Sequence, residues 1–328
     1  MRLLFLLVFL FMLVTTPVAP ALAASPPTVV VSIAPQKWLV DSVAGNAVSV
    51  LTLATPGANP HSYEPTPQQM RGLLSASLYF TLGVPFEQVW LPRLADTAKG
   101  LRLCDSTASI IRLPMPDHNE EHGHTPNEKH NGKTHGQDTP HTHGEKHHEY
   151  SDHAHHAHAN DRHHNHGDAD PHVWLSPRNM KRMATIIEGE LATLLPEKAH
   201  EFARNRAQLD ARLDALDATL TDIFASAPSR TFLTFHPTWQ YFAADYGLTE
   251  LSIEQQGREP GPKTMRHIID KAKQHQISVV FIEPQFPKAA AQAVAANINA
   301  VVVQVDPLAE HIDEELLRFA KELARSWK

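Results

Sequence analysis

The chain has 328 residues, 42% of them hydrophobic, and a formal net charge of −7 with histidine counted as neutral. That length allows two domains of ordinary size, the negative balance offers no basic face for nucleic acid, and the single cysteine, Cys104, excludes an intramolecular disulfide. Histidine is the compositional outlier, with 23 residues.

In chain order, Arg2 precedes an apolar run from Leu3 to Val14, followed by Ala21-Leu22-Ala23. A basic start, a short apolar core and a small-residue end predict a secretory signal peptide over residues 1–23. The run is short for a membrane span, and no cysteine follows it to carry a lipid. The expectation is a soluble exported protein of the periplasm, not a lipoprotein.

Residues 24–175 are expected to form a first α/β lobe. Thr28 to Ile33, Val48 to Ala54 and Leu78 to Gly83 read as buried strands, and Thr66-Pro67 caps and starts a helix through Leu74. Cys104 follows Leu103 in an apolar stretch and reads as a small core residue. Sixteen of the histidines then fall between His118 and His166, in a span almost without large apolar side chains. Such a span cannot bury enough surface to offset its ordering entropy, so residues 117–167 are expected to be a disordered, histidine-rich insert.

Ser176-Pro177 is an N-cap and first-turn pair that predicts a helix to Leu195, where Pro196 ends it. This helix, residues 176–195, is taken as the linker and would restrict the lobes to small relative motions. A second helix carries Leu209, Leu213, Leu216, Leu220 and Ile223, a narrow stripe that points to packing within one chain rather than to a coiled-coil dimer. Residues 196–328 are expected to form the second lobe. "TFLTF", "LTELSI", "SVVFIE" and "AVVVQV" supply its strands, with helices starting near Thr238, Pro262, Pro287 and Leu308. Strands alternating with helices imply parallel sheets covered on both faces. The expected fold class is therefore α/β, two parallel-sheet lobes joined by a single long helix.

Seven histidines lie outside the insert, and three of them share a setting. His61 ("GANPHSYEPTP"), His172 ("DADPHVWLSP") and His236 ("TFLTFHPTW") each occupy a Pro-flanked turn, and such turns fix the direction of a side chain. His61 and His236 closely follow strands, where open α/β sheets form their ligand crevice. His200, His267, His275 and His311 lie in or beside helical patterns among charged residues and read as surface groups. Asp306, after "VVVQV", is a candidate fourth ligand or a helix N-cap. Glu283 reads as a supporting or structural group, and Glu64 as a further group within reach of a metal. Three neutral imidazoles suit Zn²⁺, whereas Mn²⁺ favours more carboxylate. Ligand nitrogens must be unprotonated, so occupancy is expected to fall as pH drops through about 6.

The ordered motifs "GANPHSYEPTP", "DPHVWLSP", "TFHPTWQYFAADYGL", "FIEPQF" and "QVDPL" resemble the metal-binding proteins of ABC transporters, in the zinc branch (the ZnuA type) of the cluster A-I family. The resemblance implies two α/β lobes joined by one long helix, a metal in the cleft, and delivery to a membrane permease powered by an ATPase. It maps the ligands onto His61, His172 and His236, with the carboxylate position on Asp306. Histidine rather than glutamate at position 236 is similar to the zinc members. Pro60 replaces a glutamate that some zinc members carry beside the first ligand, and one cysteine cannot form the disulfide that others have. Asp306 or water thus remains open as the fourth ligand.

The function that follows is zinc capture in the periplasm by a monomer, with Zn²⁺ as transported ligand and delivery to an ABC permease and its ATPase. Manganese or iron transport on the same fold is one alternative, and a periplasmic zinc buffer or chaperone another. A zinc hydrolase is disfavoured: no H-E-x-x-H occurs, and no Ser or Cys nucleophile sits beside a plausible base. The insert is expected to capture or buffer zinc weakly, apart from the ordered site.

Overall fold

Each half of the chain builds one four-stranded parallel sheet. The first holds β1 (Thr28–Val31), β2 (Ser49–Thr52), β3 (Leu78–Thr81) and β4 (Arg102–Asp105) in the order β2-β1-β3-β4. The second holds β5 (Thr231–Thr234), β6 (Thr249–Ser252), β7 (Val279–Ile282) and β8 (Val301–Gln304) in the matching order β6-β5-β7-β8. The computed structural model describes residues 25–55, 57–115, 169–254 and 260–327. The expected signal peptide and the histidine-rich insert lie outside the described residues.

Strand alternation explains how the second sheet is covered. Phe232 and Phe281 face one buried cluster, while Leu233, Val280 and Ile282 face another. The latter is closed by α7 (Pro262–Gln274) and α8 (Lys288–Ile298), whose Ile268, Ala272, Ala291 and Val294 are buried in it. Side chains two apart on a strand share a face, so one apolar run supplies two cores.

Helix α4 (Pro177–Leu194) starts where expected, with Ser176 Oγ accepting the Asn179 N–H at 3.1 Å. A short turn at Pro196–Lys198 leads into α5 (Ala199–Ala225), which buries Leu209, Leu213, Leu216 and Leu220. Ile223 is only partly buried, and Phe224 completes the stripe. Helix α5 packs on α1 (Ala34–Ala44) of the first lobe and on α9 (Ile312–Ser326) of the second. The helical segment 177–225 therefore joins the lobes, with α4 and α5 lying against each other.

The main core does not stop at the lobe boundary. It runs from Val30 through Met183 and Ile187 of α4 and Leu213 of α5 to Phe281 and Phe319. Polar contacts also cross between lobes. Trp174 Nε1 donates to the Pro307 carbonyl at 2.7 Å, and Lys37 Nζ pairs with Glu310 at 2.9 Å. A close-packed shared interior resists large shearing, which favours small relative motions.

Some elements depart from expectation. β4, α1 and α3 (Pro85–Thr97) are regular elements that no strong sequence pattern marks, and α9 begins at Ile312 rather than near Leu308. The delay has a cause: Asp306 Oδ1 accepts the Leu308 N–H at 3.0 Å, making a turn before the helix. Helix α6 (Gln240–Tyr246) likewise begins two residues after Thr238. Cys104 is half-buried on the edge strand β4 rather than enclosed in the core, and burial pushes its thiol up to about 11.

Candidate metal centre

Three different local devices aim the three histidines. His61 lies in the long connection between β2 and α2 (Pro67–Leu74), where Asn59 Oδ1 accepts its backbone N–H at 2.9 Å. A capping box at Thr66 and Gln69 then starts α2 and fixes the far end of that segment. His172 precedes the short 3₁₀ turn Val173–Leu175 that feeds α4. His236 follows β5, an internal strand, at the carboxyl-terminal edge of its sheet.

These devices bring the rings together. One nitrogen from each of His61, His172 and His236 lies within 4.8 Å of the others, the only group of three or more potential metal-binding side chains found among the described residues. His61 Nε2 and His236 Nε2 are 3.1 Å apart. A tetrahedral ion with bonds of about 2.0–2.1 Å holds its ligand nitrogens about 3.3 Å apart. One pair thus already has that spacing, and a small inward movement would complete the triad.

Two of the rings are braced from behind. Asp170 Oδ1 lies 2.7 Å from His172 Nδ1 and also accepts the His172 backbone N–H at 2.8 Å. Glu254 Oε2 lies 2.9 Å from His236 Nδ1. A carboxylate that accepts a hydrogen bond from Nδ1–H leaves Nε2 with its lone pair free, raises its basicity and fixes the ring plane. Trp174 lies edge-on to His172 at 5.3 Å, and Phe286 lies against His236 at 5.1 Å, so the floor of the site is apolar around its polar tips. His61 differs: it is exposed, and its ring has no carboxylate partner within hydrogen-bond distance among the described residues.

The electrostatics follow from this crowding. Loss of solvation at its ring, with His236 and His172 beside it, lowers the His61 pKa to about 3 although part of the residue faces solvent. Burial lowers His236 as well, against the opposing effect of its hydrogen bond to Glu254. The expectation that protons compete with metal from about pH 6 is therefore shifted downward: both rings favour the neutral, metal-ready form.

The carboxylates proposed as further ligands lie elsewhere. Asp306 is not brought into the histidine group; its Oδ1 accepts from Leu308 N and from Gln285 Nε2 at 3.3 Å. This is the capping type of role that a lone Asp after a strand often takes. Glu64 is exposed and also outside the group. Glu283 is buried at the cavity wall, accepting from Thr238 Oγ1 at 3.1 Å, with Oε2 unpartnered among the described residues. Burial pushes its carboxyl up to about 8, so it carries a proton at neutral pH. Asp170 and Glu254 were not singled out from the sequence. Asp170 stands two residues before His172, a local signal, whereas Glu254 reaches His236 only because β5 and β6 pair.

Two α/β lobes sharing a core, with three converging imidazoles in the crevice between them, define a two-lobed metal-binding protein of the solute-binding class. The chain belongs to the ZnuA family, described as zinc-uptake complex component A, periplasmic, which matches residues 29–323. Its members are non-catalytic components of cluster A-I ABC transporters. A crystal structure of a 138–173 deletion mutant of ZnuA with zinc bound is 33% identical, covers 92% of this chain and 98% of its own, and superposes with a TM-score of 0.75. The high-affinity zinc uptake system protein ZnuA of Yersinia pestis is 26% identical over 87% of this chain and 84% of that protein. A putative metal-binding protein of Chlamydia muridarum is also 26% identical, over 90% of each chain.

Proposed function

We propose that this protein captures zinc in the periplasm with high affinity and hands it to an ABC permease whose ATPase powers import. His61, His172 and His236 are the proposed ligands, each through one ring nitrogen, with the fourth position left to water or to Asp306 after a turn of its side chain. The observation that carries this reading is the convergence of three imidazole nitrogens within 4.8 Å in the crevice. Neutral nitrogen donors suit Zn²⁺ better than they suit Mn²⁺. Family membership and the zinc-bound relative support the same cargo. The proposed division of the chain has residues 24–175 and 196–328 as the lobes, 176–195 as the linker helix and 1–23 as the export signal.

Competition of Zn²⁺ and Mn²⁺ for the metal-stripped protein tests the reading. One tight zinc site that manganese displaces only in large excess is expected, and equal competition would contradict it. Partnership is tested separately by growth of a deletion strain under zinc chelation. A transport role requires poor growth that added zinc restores, while a buffer acting without a permease does not.

A further inference from the structure

The residues that flank the insert meet at one point, and that point touches both the second lobe and the zinc site. Pro114 and Ala169 form an antiparallel bridge, and the Asp170 N–H donates to the Leu113 carbonyl at 2.8 Å. The Tyr241 hydroxyl, carried by α6 of the second lobe, sits across this neck. It accepts the Leu113 N–H at 2.9 Å and donates to the Asp170 carbonyl at 3.0 Å. Arg112 Nη1 donates to the same carbonyl at 3.3 Å. Asp170 is fully buried, and its side chain holds both the backbone and the ring of His172. A single phenol therefore uses its donor and its acceptor to staple two strands of the neck, one residue of which aims a ligand.

We propose that Tyr241 is a positioning residue for the zinc site: its hydroxyl fixes the neck of the insert to the second lobe and, through Asp170, sets the aim of the His172 imidazole. The proposal rests on the zinc reading above. Among the described residues, the Tyr241 hydroxyl and Arg112 are the side chains that hold the Asp170 carbonyl at this neck. Tyr241 is buried, and its hydroxyl bonds the two sides of the neck, Leu113 N and the Asp170 carbonyl.

The test is a double-mutant cycle on zinc affinity in the full chain, with Tyr241→Phe, Asp170→Ala and the double variant. Phe keeps the buried ring and removes only the hydroxyl. Tyr241→Phe is expected to weaken zinc binding on the order of tenfold, the low end for partners beyond the ligands, and to add almost nothing once Asp170 is Ala. A merely structural tyrosine would instead lower affinity by the same factor in both backgrounds, or not at all, and either result overturns the proposal. If Tyr241→Phe does not fold, Arg112→Met keeps the side-chain length, removes the other donor to the same carbonyl and should show the same dependence on Asp170; an effect independent of Asp170 would overturn it. His172→Ala is measured alongside. If that variant keeps full zinc affinity, the zinc reading itself fails; if it loses affinity while Tyr241→Phe does not, only the role of Tyr241 fails.

Discussion

The floor and the rim of the site are built differently. On the floor, His172 and His236 are buried, each has a carboxylate at Nδ1, and each leaves or enters a regular element within a few residues. At the rim, His61 is exposed, sits in the middle of the connection from β2 to α2, and has an asparagine turn rather than a carboxylate behind it. The floor is organised before metal arrives, because its rings are locked by packing and hydrogen bonds. The rim ligand meets solvent first and is held by fewer contacts. A site made this way keeps two donors ready and lets the third close the shell or release it.

The largest effects should therefore come from the floor. His236→Ala and His172→Ala are each expected to remove tight zinc binding, a loss beyond the roughly 10–100-fold that outer partners cost, as read by titration against a competing chelator. His61→Ala should leave a weaker two-imidazole site, with the change seen mainly as faster zinc release in stopped-flow measurements. Equal kinetics in His61→Ala and His236→Ala would erase the distinction between floor and rim.

The braces come next. Glu254→Gln and Asp170→Asn are each expected to lower zinc affinity about 10–100-fold while His61, without a brace, offers no equivalent target. If neither substitution changes affinity, pre-organisation of the floor is not what the carboxylates supply.

Acid provides a smaller and differently signed probe. The lowered pKa values of His61 and His236 in the metal-free protein mean that an unfolded chain, with imidazoles near 6.5, binds protons first. Stability is fully present above about pH 6.5 and falls as pH drops toward the folded value of about 3. Melting temperatures of the metal-free protein should decline over that window, and less steeply in His61→Ala. A parallel decline in both would show that His61 is not the group responsible.

Asp306→Ala should have the smallest effect on zinc. Its side chain is occupied by Leu308 N and Gln285, so the expected cost is about 1 kcal/mol of stability from the lost hydrogen bond. A drop in zinc affinity as large as that of Glu254→Gln would instead make Asp306 the fourth ligand.

What the sequence disclosed and what it hid have physical reasons. His61, His172 and His236 were legible because a Pro-flanked turn beside a strand or helix start restricts the backbone, and three such turns carried the same side chain. The alternating strands and the stripe on α5 were legible because burial repeats with a fixed period. Helices α1 and α3 were less so, since both carry a proline in the first turn but neither has a strongly one-sided apolar pattern. Glu254 was hidden because its partner is 18 residues away and only strand pairing brings them together. Asp306 was ambiguous for the opposite reason: spacing alone allows both a ligand and a local acceptor, and here its carboxylate accepts the Leu308 N–H.

A crystal structure of the zinc-loaded protein, with anomalous scattering measured at the zinc edge, tests the central claim most directly. The predicted result is one strong peak in the crevice, about 2.0–2.1 Å from a ring nitrogen of each of His61, His172 and His236. A peak bonded to other residues, or a crevice without one at saturating zinc, would contradict it.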